Sequence, residues 1–321
     1  MPIVIFVARR LAAGLVLLLV LSLLIFALLS ASPGSPIQSL LGSRTPTPGL
    51  IAELTARYHL DEPFLVQYGE WLRGVVHLDF GRSISIQTNA PVSSIMAGRS
   101  VLSGELALYA MVLVLLVGVP MGMASGLKRG TPVDRGVSLL ATFGISAPAV
   151  VLSIALLYVF GLMLGWFPVY GIGSGAAGRL SHLTLPAVAL ASFLSAIVIR
   201  QTRAATLGVT QQDYMTFARL RGLSARRILF RYALRNASLP VITSVGMLLI
   251  AALSAAVFVE QVFSLPGIAS LLYEAVIQKD VPLVQGLALV TGAFVILVNM
   301  LVDLLGLALD PRTRTAAPGG N

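Results

Sequence analysis

An all-α protein that crosses a membrane several times is the fold class this sequence predicts, and three observations predict it. Of its 321 residues 57% are hydrophobic and only 11% are charged, where soluble domains carry roughly 25% charged residues. Mean hydropathy is +0.91, and the apolar residues gather in six runs of the length a helix needs to cross a bilayer, about 20 residues. The basic residues fall mainly in alternate connections between those runs. A net charge of +9 would point to nucleic acid in a soluble chain; placed beside apolar runs, it points to a membrane face and lipid instead. There is no cysteine, which excludes disulfides, thiolate metal sites and cysteine catalysis.

The first run, Leu11 to Ala31, is charge-free and directly follows Arg9 and Arg10. It exceeds the roughly 7 to 15 apolar residues of a signal peptide, so it is expected as a retained span. A long loop, about Ser32 to Ser100, comes next. It opens with the Pro33-Gly34-Ser35-Pro36 turn and passes through Thr45-Pro46-Thr47-Pro48. Asp61 before Glu62-Pro63 is expected to cap a helix with proline in its first turn. Phe64, Tyr68, Trp71, Leu72 and Val75 recur at helical spacing, giving an amphipathic helix. That helix either lies on the membrane or packs on the bundle, or it forms a platform for a soluble partner. Further spans are expected at Leu106–Gly126, Val137–Leu164, Leu183–Ile199, Leu239–Val259 and Val284–Leu307.

With the N-terminus in the cytoplasm, the inner segments hold Arg9, Arg10, Lys128, Arg129, Arg135, Arg312, Arg314 and eight arginines between Arg200 and Pro240. That is fifteen of the 22 basic residues, so both termini are expected inside. The organisation is thus a first segment, 1–31; an external loop, 32–100; a five-helix core, 101–309, with a cytoplasmic loop at 200–240; and a tail, 310–321.

Chemistry of its own is hard to find in this chain. Neither lysine, Lys128 or Lys279, belongs to a phosphate-binding glycine loop. His59, His77 and His182 lack zinc-type spacing, and no serine-nucleophile elbow occurs. No catalytic residue, metal site or cofactor is therefore assigned to it. The acids Glu105, Glu260 and Asp303 fall near span ends, which argues against a proton relay through the membrane. Thr243, Ser244, Ser254 and Asn299 either face a cavity or serve helix packing, and no substrate contact is assigned to them. Glu260, Phe263, Pro266 and Gly267 mark the end of the fifth span as either a gate or a turn.

The most ordered polar stretch is 200–240. Its arginines are Arg200, Arg203, Arg219, Arg221, Arg226, Arg227, Arg231 and Arg235, with Asp213 the one acid. Tyr214, Phe217 and Leu220 or Arg221 share one helical face, and Gly222 can end the helix in a left-handed conformation. Asp213-Tyr214, Ala218-Arg219, Arg221-Gly222-Leu223-Ser224 and Arg235-Asn236 through Leu239-Pro240 together resemble the coupling motif of ABC-importer permeases. The form is that of the dipeptide, oligopeptide and nickel family. The resemblance runs along nearly the whole chain. It takes in Ala8-Arg9-Arg10-Leu11, Pro33-Gly34-Ser35-Pro36, Leu60-Asp61 with Pro63, Gln67-Tyr68, and Asp79-Phe80-Gly81 with Ser83. Further along come His182-Leu183, Leu185-Pro186, Glu260, Phe263, Pro266, Gly267, Asp280 with Pro282, Asn299, Asp303 and Asp310-Pro311-Arg312. The family usually has aspartate where Ser35 stands, glycine where Leu78 stands and often histidine where Tyr232 stands. Thr216-Phe217-Ala218 replaces the Glu-Ala-Ala of the general motif.

The resemblance implies a type I importer fold and one of two homologous membrane subunits. It also implies cytoplasmic ATPase partners that bind ATP and magnesium, and an external substrate-binding protein. Tyr214, Phe217, Ala218, Arg219, Arg221, Gly222, Leu223 and Ser224 are the implied ATPase contacts. Peptides are the implied cargo, with nickel, glutathione or an oligosaccharide as alternatives on the same architecture. Two readings of other classes are an intramembrane hydrolase using Glu105, His182 or Asp303, and a membrane anchor or sensor without transport.

Overall fold

A computed structural model describes residues 3–30, 41, 45–58, 61–222 and 234–309. The Pro33–Pro36 turn, Leu60, Leu223, Ser224, Arg226, Arg227, Arg231, Tyr232 and the tail lie outside the described residues. No strand occurs among the described residues; a single bridge joins Arg82 to Pro91. The chain forms two compact units, Met1–Ser103 with Pro266–Met300, and Gly104–Leu265 with Leu301–Asn321.

The first unit begins with α1 (Ile3–Ser30), which starts eight residues before the expected span because Arg9 and Arg10 continue the helix. Its apolar side chains are largely exposed, among them Leu15 at 61% and Leu24 at 54%; a helix apolar on all sides needs lipid or protein around it. Thr47 caps α2 (Pro48–Tyr58): its Oγ1 accepts the Leu50 amide at 3.3 Å, and Pro48 takes the position where a missing N–H costs nothing. The expected Asp61 cap of the next helix is not found. Pro63, with ψ of 148°, stands in extended backbone just before α3 (Phe64–Val76), so the proline precedes the helix instead of sitting in its first turn.

Helix α3 packs on α1. Phe26 of α1 meets the rings of Phe64, Tyr68 and Trp71 at centroid distances of 5.5, 5.7 and 5.6 Å. The Tyr68 hydroxyl lies 2.8 Å from that of the buried Ser22. The periodic face read from the sequence is therefore a packing face. Leu78, where the resemblance leads one to expect glycine, adopts φ of +61° and is 71% exposed. A left-handed conformation costs a non-glycine residue roughly 1–2 kcal/mol. Leu78→Gly should therefore raise stability by about 0.5–1 kcal/mol after the entropy of the unfolded glycine is deducted, read as a higher midpoint of thermal unfolding in detergent.

Asp280 ties this unit together. Its fully buried carboxylate accepts at one oxygen, Oδ2, from the Ser83 hydroxyl at 2.6 Å and from the amides of Ile84, Ser85 and Ile86 at 3.1, 3.0 and 3.2 Å. Charge-assisted bonds of this kind are the strong ones. They hold the 83–86 loop against the connection between α10 (Ile268–Ile277) and α11 (Val281–Leu309). Below that loop Phe80, Val92, Ile95, Met96, Leu271, Ala275, Leu283 and Leu287 form one core. It joins the start of α4 (Val92–Leu127) to α10 and α11.

In the second unit α4 runs beside α7 (Gly175–Thr210). Between them lie α5 (Pro132–Ser146), α6 (Ala149–Leu156) and a π-helical turn, Leu157–Met163. A single third span was expected over Val137–Leu164; instead two helices meet at 104°. The break falls at Ala147, extended with ψ of 120° before Pro148, because the proline ring disfavours the helical region for the residue ahead of it. Helices α8 (Asp213–Leu220) and α9 (Leu234–Val262) complete the unit, with α9 packed along α7.

Among the described residues four helices are long and apolar enough to cross a membrane, over Val7–Ala27, Val92–Leu127, Gly175–Thr210 and Val281–Leu305, or five if the bent pair is counted as one span. The apolar part of α9, Gly246–Val262, is shorter. At 36 residues each, α4 and α7 would measure about 54 Å, well beyond a hydrocarbon core of roughly 30 Å. Each therefore projects from the bilayer, and Arg200 and Arg203 sit on the extension of α7, not in a loop.

Candidate functional site

The segment from Arg200 to Pro240 is built on helices at both ends. Helix α7 carries it to Thr210, and α9 takes it up again from Leu234. Between Thr210 and α8 only Gln211 and Gln212 intervene, with the Gln212 amide bonded to the Val209 carbonyl at 3.2 Å. Asp213 occupies the first turn of α8, where a negative charge is favoured by the helix dipole.

One side of α8 is anchored and the other is free. Met215 is fully buried, whereas Phe217 and Leu220, three residues apart and so on one face, are 64% and 77% exposed. Tyr214, Ala218 and Arg219 belong to the same helix. The Arg221 amide closes the last turn on the Phe217 carbonyl at 3.0 Å, and Gly222 then takes φ of +71°. This is the left-handed stop expected of Gly222, and only glycine adopts it without strain. The element is a short helix with two exposed apolar side chains beside an exposed arginine, Arg221.

Next to it lies a cluster that periodicity did not single out. Asp134, in the first turn of α5, is 5% exposed. Arg203 of α7 grips it at both oxygens, Nε to Oδ1 at 2.7 Å and Nη2 to Oδ2 at 3.0 Å. The Ser125 hydroxyl donates to Oδ1 at 2.5 Å, and the Gly130 amide to Oδ2 at 2.9 Å. One carboxylate thus joins α4, the turn after it, α5 and α7. The available signal was an acid two residues after Thr131-Pro132 in a connection otherwise rich in lysine and arginine.

The remaining candidates are accounted for locally. Glu105 pairs with Arg179, and Tyr109 with Thr184 at 3.2 Å. His182 Nδ1 lies 2.8 Å from the Gly178 carbonyl one turn back, a bond that fixes the ring and needs no ligand. Asn299 donates to the Val295 carbonyl at 3.0 Å, and Ser254 reaches the Ile250 carbonyl at 3.5 Å, so both turn back on their own helices. Glu260 is buried in the last turn of α9, Phe263 is buried beyond it, and the Leu265 amide closes on the Glu260 carbonyl at 2.8 Å. Pro266 follows exposed, and buried Gly267 opens α10 with its amide on Ser270 Oγ at 3.0 Å. The geometry of this stretch is that of a hydrogen-bonded turn.

Two family models meet on this chain. Residues 3–118 match the N-terminal part of a binding-protein-dependent transport system membrane component, and residues 118–315 match the binding-protein-dependent transport system inner membrane component itself. The chain belongs to this family. The permease is 35% identical to a protein of Brucella abortus (strain 2308) named as a peptide transport system permease, over 96% of this chain and 98% of that one. It is 31% identical to the oligopeptide transport system permease protein AppB of Bacillus subtilis (strain 168), with the same coverage. A Sinorhizobium fredii protein named as a peptide ABC transporter permease shares 33% identity over 97% of this chain and 99% of its own. The permease is accordingly a multi-pass transport subunit of the bacterial inner membrane and not an enzyme. Systems of this family work with ATPase and substrate-binding partners.

Proposed function

We propose that this permease is one membrane half of an ATP-driven importer of di- and oligopeptides. It would have six spans, both termini in the cytoplasm and α8 as its coupling helix. The observation that carries the coupling role is the pair of bare side chains, Phe217 and Leu220, on a glycine-ended helix between two long apolar helices. The peptide cargo is supported by the printed names of relatives that match over nearly the full length of the chain.

The mechanism follows from linkage. ATP and magnesium bind between two partner ATPase domains, and ATP favours their closed form. Closure moves the coupling helices of this subunit and of a second, homologous one. Because ATP binds the two forms of the assembly with different affinity, it shifts the equilibrium between inward- and outward-facing arrangements. Packed helices carry that shift across the membrane as rigid bodies. Cargo is delivered by an external binding protein, which sets most of the selectivity.

Gentle purification of a tagged copy from its native membranes, with mass spectrometry of every co-purifying chain, tests this reading. A second six-span permease, an ATPase with a phosphate-binding loop and a binding protein holding a peptide are expected. Nickel, glutathione or a sugar in that binding protein would replace the cargo assignment. A stable cross-linked complex with unrelated cytoplasmic proteins would replace the transport role with that of an anchor or sensor.

A further inference from the structure

We propose that the Asp134–Arg203 pair is a positioning device that passes movement of the coupling helix to the bent pair α5–α6, and so sets how much cargo moves for each ATP hydrolysed. The proposal rests on the coupling reading of α8. Its first support is continuity. Between α8 and α7 stand only Gln211 and Gln212, with the Gln212 amide on the Val209 carbonyl at 3.2 Å and the Met215 amide on the Gln212 carbonyl at 2.9 Å, so a push on α8 reaches the end of α7. Arg203 lies about two helical turns before that end.

The second support is rigidity. Helices α4 and α7 touch closely through Gly122 and Gly126 against Thr202 and Thr206, and Ser125 of α4 shares the Asp134 carboxylate, so α4 moves with the pair. The forked grip of Arg203 on Asp134, at 2.7 and 3.0 Å, is bidentate and tolerates little change of angle. When α7 moves, α5 must move with it. Beyond α5 comes the 104° bend at Ala147 and Pro148, where a change of angle between α5 and α6 is absorbed without breaking helical hydrogen bonds.

A third observation is independent of the pair. Gln201 Oε1, Thr202 Oγ1 and Thr206 Oγ1, all close to Arg203 along α7, are buried without a hydrogen-bond partner. Buried polar groups are nearly always satisfied. Three such groups in two turns leave α7 without a polar lock of its own here, so the forked pair is its polar tie to α5 in this stretch.

The test uses the complete importer in proteoliposomes, with uptake, ATP hydrolysis and ATPase retention measured on the same samples. Asp134→Asn keeps an acceptor but loses the charge; Arg203→Lys keeps the charge but loses the fork. Both complexes should retain their ATPase and hydrolyse ATP, while cargo moved per ATP falls about tenfold, the effect of one lost charge-assisted contact. A merely structural pair would lower the amount of intact complex and leave that ratio unchanged, and this result would overturn the proposal; so would a normal ratio in Arg203→Lys if Asp134→Asn does not assemble. A Gly222→Asp complex run alongside separates the two layers. Normal uptake in it defeats the coupling reading itself, whereas lost uptake there with a normal ratio in the pair variants defeats only the role of the pair.

Discussion

Replacing Gly222 by aspartate leaves the chain in the membrane and abolishes ATP-driven uptake. Two effects can be separated. The residue has φ of +71°, and a Cβ built there meets nothing within 4 Å. Among the described residues there is thus no steric conflict, and the backbone penalty is modest, since aspartate is among the residues that tolerate the left-handed region best. The larger effect comes from the carboxylate, which stands one residue from Arg221 and beside the exposed face of Phe217 and Leu220. When a partner covers that face, the new charge is taken out of water; an unpaired buried charge costs about 3 kcal/mol or more, a factor of 100 or more in occupancy of the docked state. Gly222→Ala isolates the backbone effect and should retain most uptake. Membrane-vesicle uptake, with ATPase co-purification as the second readout, checks both. Normal uptake together with normal ATPase docking in Gly222→Asp would sink the coupling assignment.

The parts of this site that could be read ahead of the structure are local ones. A helix beginning at Asp213 and stopped at Gly222 follows from residue spacing and from the conformational freedom of one glycine, and both are found. The exposed Phe217 and the amphipathic α3 were legible for the same reason: period and burial are encoded within a few turns. What was missed is non-local. Asp134 and Arg203 are 69 residues apart, and Ser83 and Asp280 are 197 apart. Ser83 and Asp280 could be noticed as parts of a resemblance, yet nothing in the spacing says that one carboxylate closes on the other loop. The break at Ala147 is a third kind of miss. Its Ala-Pro signal stood in the sequence, but hydropathy continues across it, and a reading led by hydropathy sees one straight helix where the backbone makes two helices at an angle.

Gly122→Leu should be strongly damaging to the stability of the second unit. Gly118, Gly122 and Gly126 recur every four residues along α4 and bring its backbone against α7. A Cβ at Gly122 would stand 2.6 Å from Thr202 Cβ and 2.7 Å from the backbone oxygen of Ile199. The oxygen matters more than the threonine, because a backbone atom cannot rotate away. The neighbours repeat the pattern: at Gly126 the Thr206 Cβ is 2.7 Å away, and at Gly118 a Val198 methyl is 2.9 Å away. In a bilayer apolar burial does little to hold helices together, so close contact of small residues carries the association. Leucine must push the helices apart along the whole stripe, at the upper end of the ~1–3 kcal/mol seen for overpacking or beyond it. The midpoint of thermal unfolding in detergent should fall by roughly 6–12 °C. Gly208→Leu is the matched control: it lies on α7 with nothing within 4 Å of its Cβ, and leucine there should be neutral or slightly stabilising, since it favours the helix over glycine. Equal midpoints for the two variants would mean that α4 and α7 do not pack through this stripe.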